Sequence, residues 1–103
     1  MTVVAPVFEK RLTAIAHDMR AHIEQAGAAY SYRRLSRGLE ICLNKPDPHQ
    51  PSRYRLAAAR TGQPPSPQEL DILSDAFGAH GEWAVATKKD RHVAEITWRQ
   101  IAD

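Results

Sequence analysis

Along the first quarter of the chain, Phe8, Leu12, Ile15, Met19, Ile23 and Ala26 recur at steps of three and four. That spacing predicts one apolar stripe on an amphipathic helix. Pro6 suits its first turn, and Gly27 is placed to end it in the left-handed conformation. Glu9, Lys10, Thr13, Asp18 and Glu24 fall on the opposite side. A helix with a single apolar side must lie on something, and a sheet is the expected partner.

From residue 30 the period changes to two. In "YSYRRLSRGLEICLNK", Leu35, Leu39, Ile41 and Leu43 share one side of a strand, and Tyr30, Tyr32, Arg34, Glu40 and Cys42 the other. Ser36-Arg37-Gly38 interrupts the run either as a bulge or as a tight turn; one bent strand is the expectation. "KPDPHQPS", with three prolines in eight residues, predicts an exposed, semi-stiff loop. "RYRLAAAR" returns as a strand, with Tyr54, Leu56 and Ala58 on one side and Arg53, Arg55, Ala57 and Ala59 on the other.

A second helix follows "TGQPP". Ser66 stands at its N-cap, Pro67 at the first helical position and Glu69 at the third, which is the pattern of a capping box. Leu70, Leu73 and Phe77, widened by Ile72 and Ala76, form its apolar side, and Gly78 ends it. "EWAVATKKDRHVAEITWRQI" reads as a hairpin turning at "KKDR", with Trp83, Val85 and Thr87 alternating outward and His92, Ala94, Ile96 and Trp98 on the return. The order α-β-β-α-β-β predicts an α+β two-layer sandwich, in which an antiparallel sheet of about four strands carries both helices on one face.

Length adds that residues 1–103 form a single domain. At this size a chain buries roughly 65% of its unfolded surface, enough for one core without a staple. Apolar residues at 43% and charged residues at 25% are ordinary for a soluble domain. No apolar run approaches a membrane span, and the first residues lack the apolar core of a signal peptide. A lone cysteine, Cys42, excludes an internal disulfide and a multi-cysteine zinc site. The cytoplasm is the expected location, and no membrane partner is expected.

Candidate chemistry is sparse. His17 and His22 sit five apart, about 140° around a helix, so they cannot grip one metal as an i, i+4 pair does. His49, His80 and His92 fall in a loop, past a helix end and in a strand, so no metal site is expected. Ser36 is flanked by arginine, Ser66 is used by a cap, and Ser31 and Ser52 have no neighbouring base. Cys42 lies in an apolar run, which favours an inert thiol. Asp71 and Asp75 read as a solvated helix face, and "GQPPS" lacks the glycines and lysine of a phosphate loop. The expectation is a non-catalytic domain without a cofactor.

Charge is what rises above this background. The net +2 conceals residues 30–60, where seven basic groups face two acidic ones. Residues 61–103 reverse the balance, with four basic against seven acidic. If the second and third predicted elements pair, Arg33, Arg34, Arg37, Arg53, Arg55 and Arg60 come within one ribbon about 20 Å long. Arginine's planar fork grips phosphate and stacks on bases, and Tyr32 and Tyr54 offer flat faces for a base. A β-ribbon of this kind can also enter a duplex major groove. These residues form the candidate site for DNA or RNA. The rival reading is a protein-interaction or homodimerisation module, its bare sheet face carrying Trp83, Trp98, Tyr30, Tyr32 and Tyr54 into a two-fold contact.

Overall fold

The computed structural model describes residues 4–100, with side chains from residue 11 onward. Phe8, Glu9 and Lys10, expected on the two sides of the first helix, and Ile101 at the chain end therefore lie outside the described side chains. The elements are α1 (Val4–Glu24), β1 (Tyr30–Arg34), β2 (Glu40–Asn44), β3 (Arg53–Thr61), α2 (Pro67–Phe77), β4 (Ala84–Lys88) and β5 (Arg91–Arg99). All five strands join one antiparallel sheet in the order β1-β2-β3-β5-β4. The fold is α+β, with both helices packed on one sheet face and in contact with each other.

The fifth strand corrects the expectation of one bent strand over residues 30–45. Ser36–Gly38 form a tight helical turn, and β1 folds back on β2 with Tyr32 opposite Cys42. Two consecutive residues adopt left-handed backbone there, Arg37 at φ 60° and Gly38 at φ 72°, which reverses the chain instead of bulging it. Leu35 and Leu39 close the turn with a 2.7 Å backbone bond.

Helix ends follow the sequence signals. Beyond α1 the chain turns at Gly27, φ 72°, and the Ala28 N–H reaches back to the His22 carbonyl at 3.2 Å. α2 opens on the reciprocal capping box: the Ser66 hydroxyl accepts from the Glu69 N–H, and the Glu69 carboxylate accepts from the Ser66 N–H. Gly78 closes it in the left-handed conformation. Arg20 of α1 donates to the Phe77 carbonyl at 3.1 Å, satisfying an orphan acceptor at the end of α2.

The core lies between the helices and one side of the sheet. Leu12, Ala16, Met19 and Ile23 of α1 meet Leu70, Leu73 and Phe77 of α2. Beneath them lie Leu39 after the turn, Ile41 and Leu43 of β2, Leu56 and Ala58 of β3, and Ala94 and Ile96 of β5. Tyr54 and Trp98, directly opposite across β3 and β5, stack with ring centres 5.8 Å apart and close one end of this layer. Trp83 packs at its margin, its indole N–H donating to Ser74 at 2.9 Å. Both tryptophans thus sit on the helix side. They are absent from the bare face on which a sheet-to-sheet dimer was expected to use them. No helix among the described residues is long and apolar enough to cross a membrane.

Candidate functional site

Strand parity decides which arginines meet. The register sets Ser31 and Arg33 on the helix side with Ile41 and Leu43, and Tyr54 and Arg60 on that side with Leu56 and Ala58. The other side carries Tyr30, Tyr32 and Arg34 of β1, Arg53 and Arg55 of β3, and Arg91 and Arg99 of β5. Four of the eight expected site residues, Arg34, Arg53, Arg55 and Tyr32, therefore share the open face.

The other four do not join them. Arg33 leans toward Asp18 of α1 at 3.8 Å, and Arg37 occupies the turn. Arg60 is committed to α2, with Nη1 and Nη2 gripping the Glu69 carboxylate at 2.8 and 2.7 Å. It also donates to the Gln63 and Pro64 carbonyls. Tyr54 is only 3% exposed, and its hydroxyl donates to Glu24. Lys45 pairs with that carboxylate at 2.6 Å and stands over the Tyr54 ring. Burial first, then the Glu24 bond, pushes the Tyr54 phenol well up, while Lys45 and Tyr54 hold Glu24 low. This cluster fastens the end of α1 to the sheet, so Tyr54 has no face left for a base. Strand parity sets Tyr54 and Arg60 on the side of Leu56 and Ala58, and period-two alternation is the sequence signal that tells against them.

The residues that sequence reasoning passed over are Arg91, Arg99 and Lys88. Their parity opposes that of Ala94, Ile96 and Trp98, so they share the open face. That face then gathers six basic groups among the described residues, Arg34, Arg53, Arg55, Lys88, Arg91 and Arg99, against Glu40 and Glu95. The carboxylates that made the last segment acidic sit mostly on α2 or in loops.

Two basic clusters occupy opposite ends of the strands. At one end Arg53 faces Arg99 directly across the β3–β5 ladder, with Arg55 two residues along. No carboxylate among the described residues pairs with any of these three; Arg55 Nε donates to the Asn44 side chain at 3.3 Å. At the other end Arg91 binds Glu40 at 2.7 Å, Tyr32 donates to the same carboxylate at 2.8 Å, and Arg34 stands directly across the ladder from Glu40. The Arg91 bond above all, with the Tyr32 bond behind it, holds the Glu40 carboxyl below its ordinary range. Glu40 in turn raises the Tyr32 phenol, which keeps its proton.

Between the clusters the floor is built of small side chains, with Cys42, Ala57, Ala59, Ala84, Ala86 and Val93 in neighbouring positions. Burial pushes the Cys42 thiol up despite Arg55, leaving it a poor nucleophile. Among the described residues no three His, Cys, Asp or Glu side chains come together as metal ligands. From Arg53 to Thr61 the face runs about 26 Å along β3, and its five strands span about 19 Å across. It is a positively charged, shallow platform with aromatic rings on one margin. No family model, curated protein or solved structure matches the chain.

Proposed function

We propose that this domain binds the phosphate backbone of DNA or RNA on the open face of its sheet, without catalysis. The observation that carries this reading is the unneutralised group Arg53, Arg55 and Arg99. Like charges opposite one another across a ladder destabilise a sheet, so the arrangement favours an anion that relieves the repulsion. Arg34 and Arg91 supply a second phosphate contact region at the other end, and Tyr32 stands between as a stacking group. Guanidinium forks suit phosphate oxygens, and releasing counterions from the backbone provides the driving force. A polynucleotide partner and a single unpaired cysteine fit a cytoplasmic setting.

The homodimer reading fares worse on this face. A two-fold, face-to-face contact would bring two surfaces of the same sign together, and the tryptophans that would have driven it are occupied elsewhere.

Binding of a labelled oligonucleotide over a range of salt concentrations tests the proposal. Replacing Arg34 and Arg53 together by alanine should weaken binding and reduce the slope of log K against log salt. The expected reduction is about 0.7 per lost phosphate contact on a single strand, or about 0.9 on a duplex. An unchanged slope would remove the open face as the contact surface.

A further inference from the structure

Resting on that reading, we infer that the platform selects single-stranded over double-stranded nucleic acid, with Tyr30 and Tyr32 each carrying one unstacked base. Three features of the fold lead there.

The first is aromatic placement. Tyr30 is 60% and Tyr32 50% exposed. Both lie on the open side of β1, which is an edge strand. Their cross-strand neighbours on that side are Asn44 and Cys42, too short to cover a ring. Two large rings left in water beside a small-residue floor are an unpartnered apolar surface within a basic one. A nucleotide strand has the matching chemistry, since it offers flat bases and phosphates together.

The second is spacing. Residues two apart on a strand stand about 6.6 Å from each other along it. That is roughly twice the 3.4 Å rise between stacked bases of one strand. Successive bases can each take a ring only if the backbone is extended, a geometry a duplex does not offer.

The third is sheet width. The β2–β3 ribbon expected to enter a groove is not free, because β1 flanks it on one side and β5 on the other. A surface about 19 Å across four inter-strand gaps is too broad for a major groove of about 12 Å. The open face instead accepts a strand laid over it, with phosphates at Arg53, Arg55 and Arg99 and at Arg34, and bases toward β1.

The test compares three labelled probes of equal length at one salt concentration: a single-stranded oligonucleotide with bases, an abasic strand with the same number of phosphates, and a duplex, which carries about twice as many. The wild-type chain is expected to bind the base-bearing strand roughly 30-fold more tightly than the abasic strand, the effect of two modest stacking contacts. It should also prefer that strand to the duplex. Tyr30→Ala with Tyr32→Ala should erase this preference while leaving abasic-strand binding intact. Tyr32→Phe, which keeps the ring and loses only the bond to Glu40, should retain it. Equal affinity for all three probes, with no effect of the tyrosine pair but loss on replacing Arg53 and Arg99, would overturn the single-strand inference and leave phosphate binding standing. Failure of all three probes to bind would overturn both.

Discussion

Replacing Glu69 by glutamine asks whether Arg60 belongs to the fold or to the charged face. Glu69 accepts two hydrogen bonds from Arg60, at 2.8 and 2.7 Å, and one from the Ser66 N–H at 2.8 Å. The pair is sheltered, with side chains 12% exposed for Arg60 and 18% for Glu69. Glutamine preserves the volume and a carbonyl oxygen for the Ser66 N–H, so the helix cap survives while the charge facing the guanidinium disappears. A hydrogen bond to a charged group contributes about 1.5–3 kcal/mol, and stripping one partner from a fully buried pair costs about 3–5 kcal/mol. The Gln63 and Pro64 carbonyls continue to hold Arg60, so the loss falls at the low end, about 2 kcal/mol. For a chain of this length that lowers Tm by about 10 °C in melts followed by circular dichroism at pH 7.

Acid should remove the difference. Arg60 holds the folded Glu69 carboxyl below its ordinary value of 4.5, against the opposing effect of burial. The stabilisation is therefore complete above that pH and fades as pH falls through the lower folded value. Melts of wild type and Glu69→Gln should converge as pH falls further and further below 4.5. A gap that is absent at pH 7, or undiminished in acid, refutes the reasoning. Arg60→Gln should cost a similar amount, the double variant no more than the larger single one, and Arg60→Gln should leave the salt dependence of oligonucleotide binding unchanged.

Glu40→Gln frees Arg91 and removes one of two acidic groups from the open face, so affinity for a single-stranded oligonucleotide should rise severalfold at low salt; a fall would assign Glu40 a direct part in binding. Arg37 and Lys89 hold left-handed backbone at φ 60° and 56°, and Arg37→Gly or Lys89→Gly should raise stability by roughly 0.5–1 kcal/mol in urea titrations. Tyr54→Phe leaves the ring stacked on Trp98 but deletes the bond to Glu24, and should cost about 1–2 kcal/mol without altering oligonucleotide affinity.

The sequence by itself determined most of the local elements, but left open whether Ser36-Arg37-Gly38 bends one strand or reverses the chain between two. The three-and-four spacing of Leu12, Ile15, Met19 and Ile23 could bury one side only as a helix, and Ser66 to Glu69 fixed the start of α2 because cap chemistry is local. Period-two alternation likewise set Tyr54 with Leu56 and Ala58 on one side of its strand and Arg53 and Arg55 on the other, without saying which side the helices would cover. The tertiary structure decided how those strands come together. β5 inserts between β3 and β4, which sets Arg99 against Arg53 across a sequence separation that no local tally of charge could bridge. It also placed α2 across the sheet from the platform, so Asp71 and Asp75, whose spacing alone marks a solvated helix face, do not neutralise it. Charge along a chain is a sum over neighbours in sequence, whereas the field at a surface is a sum over neighbours in space, and strand pairing is what converts one into the other.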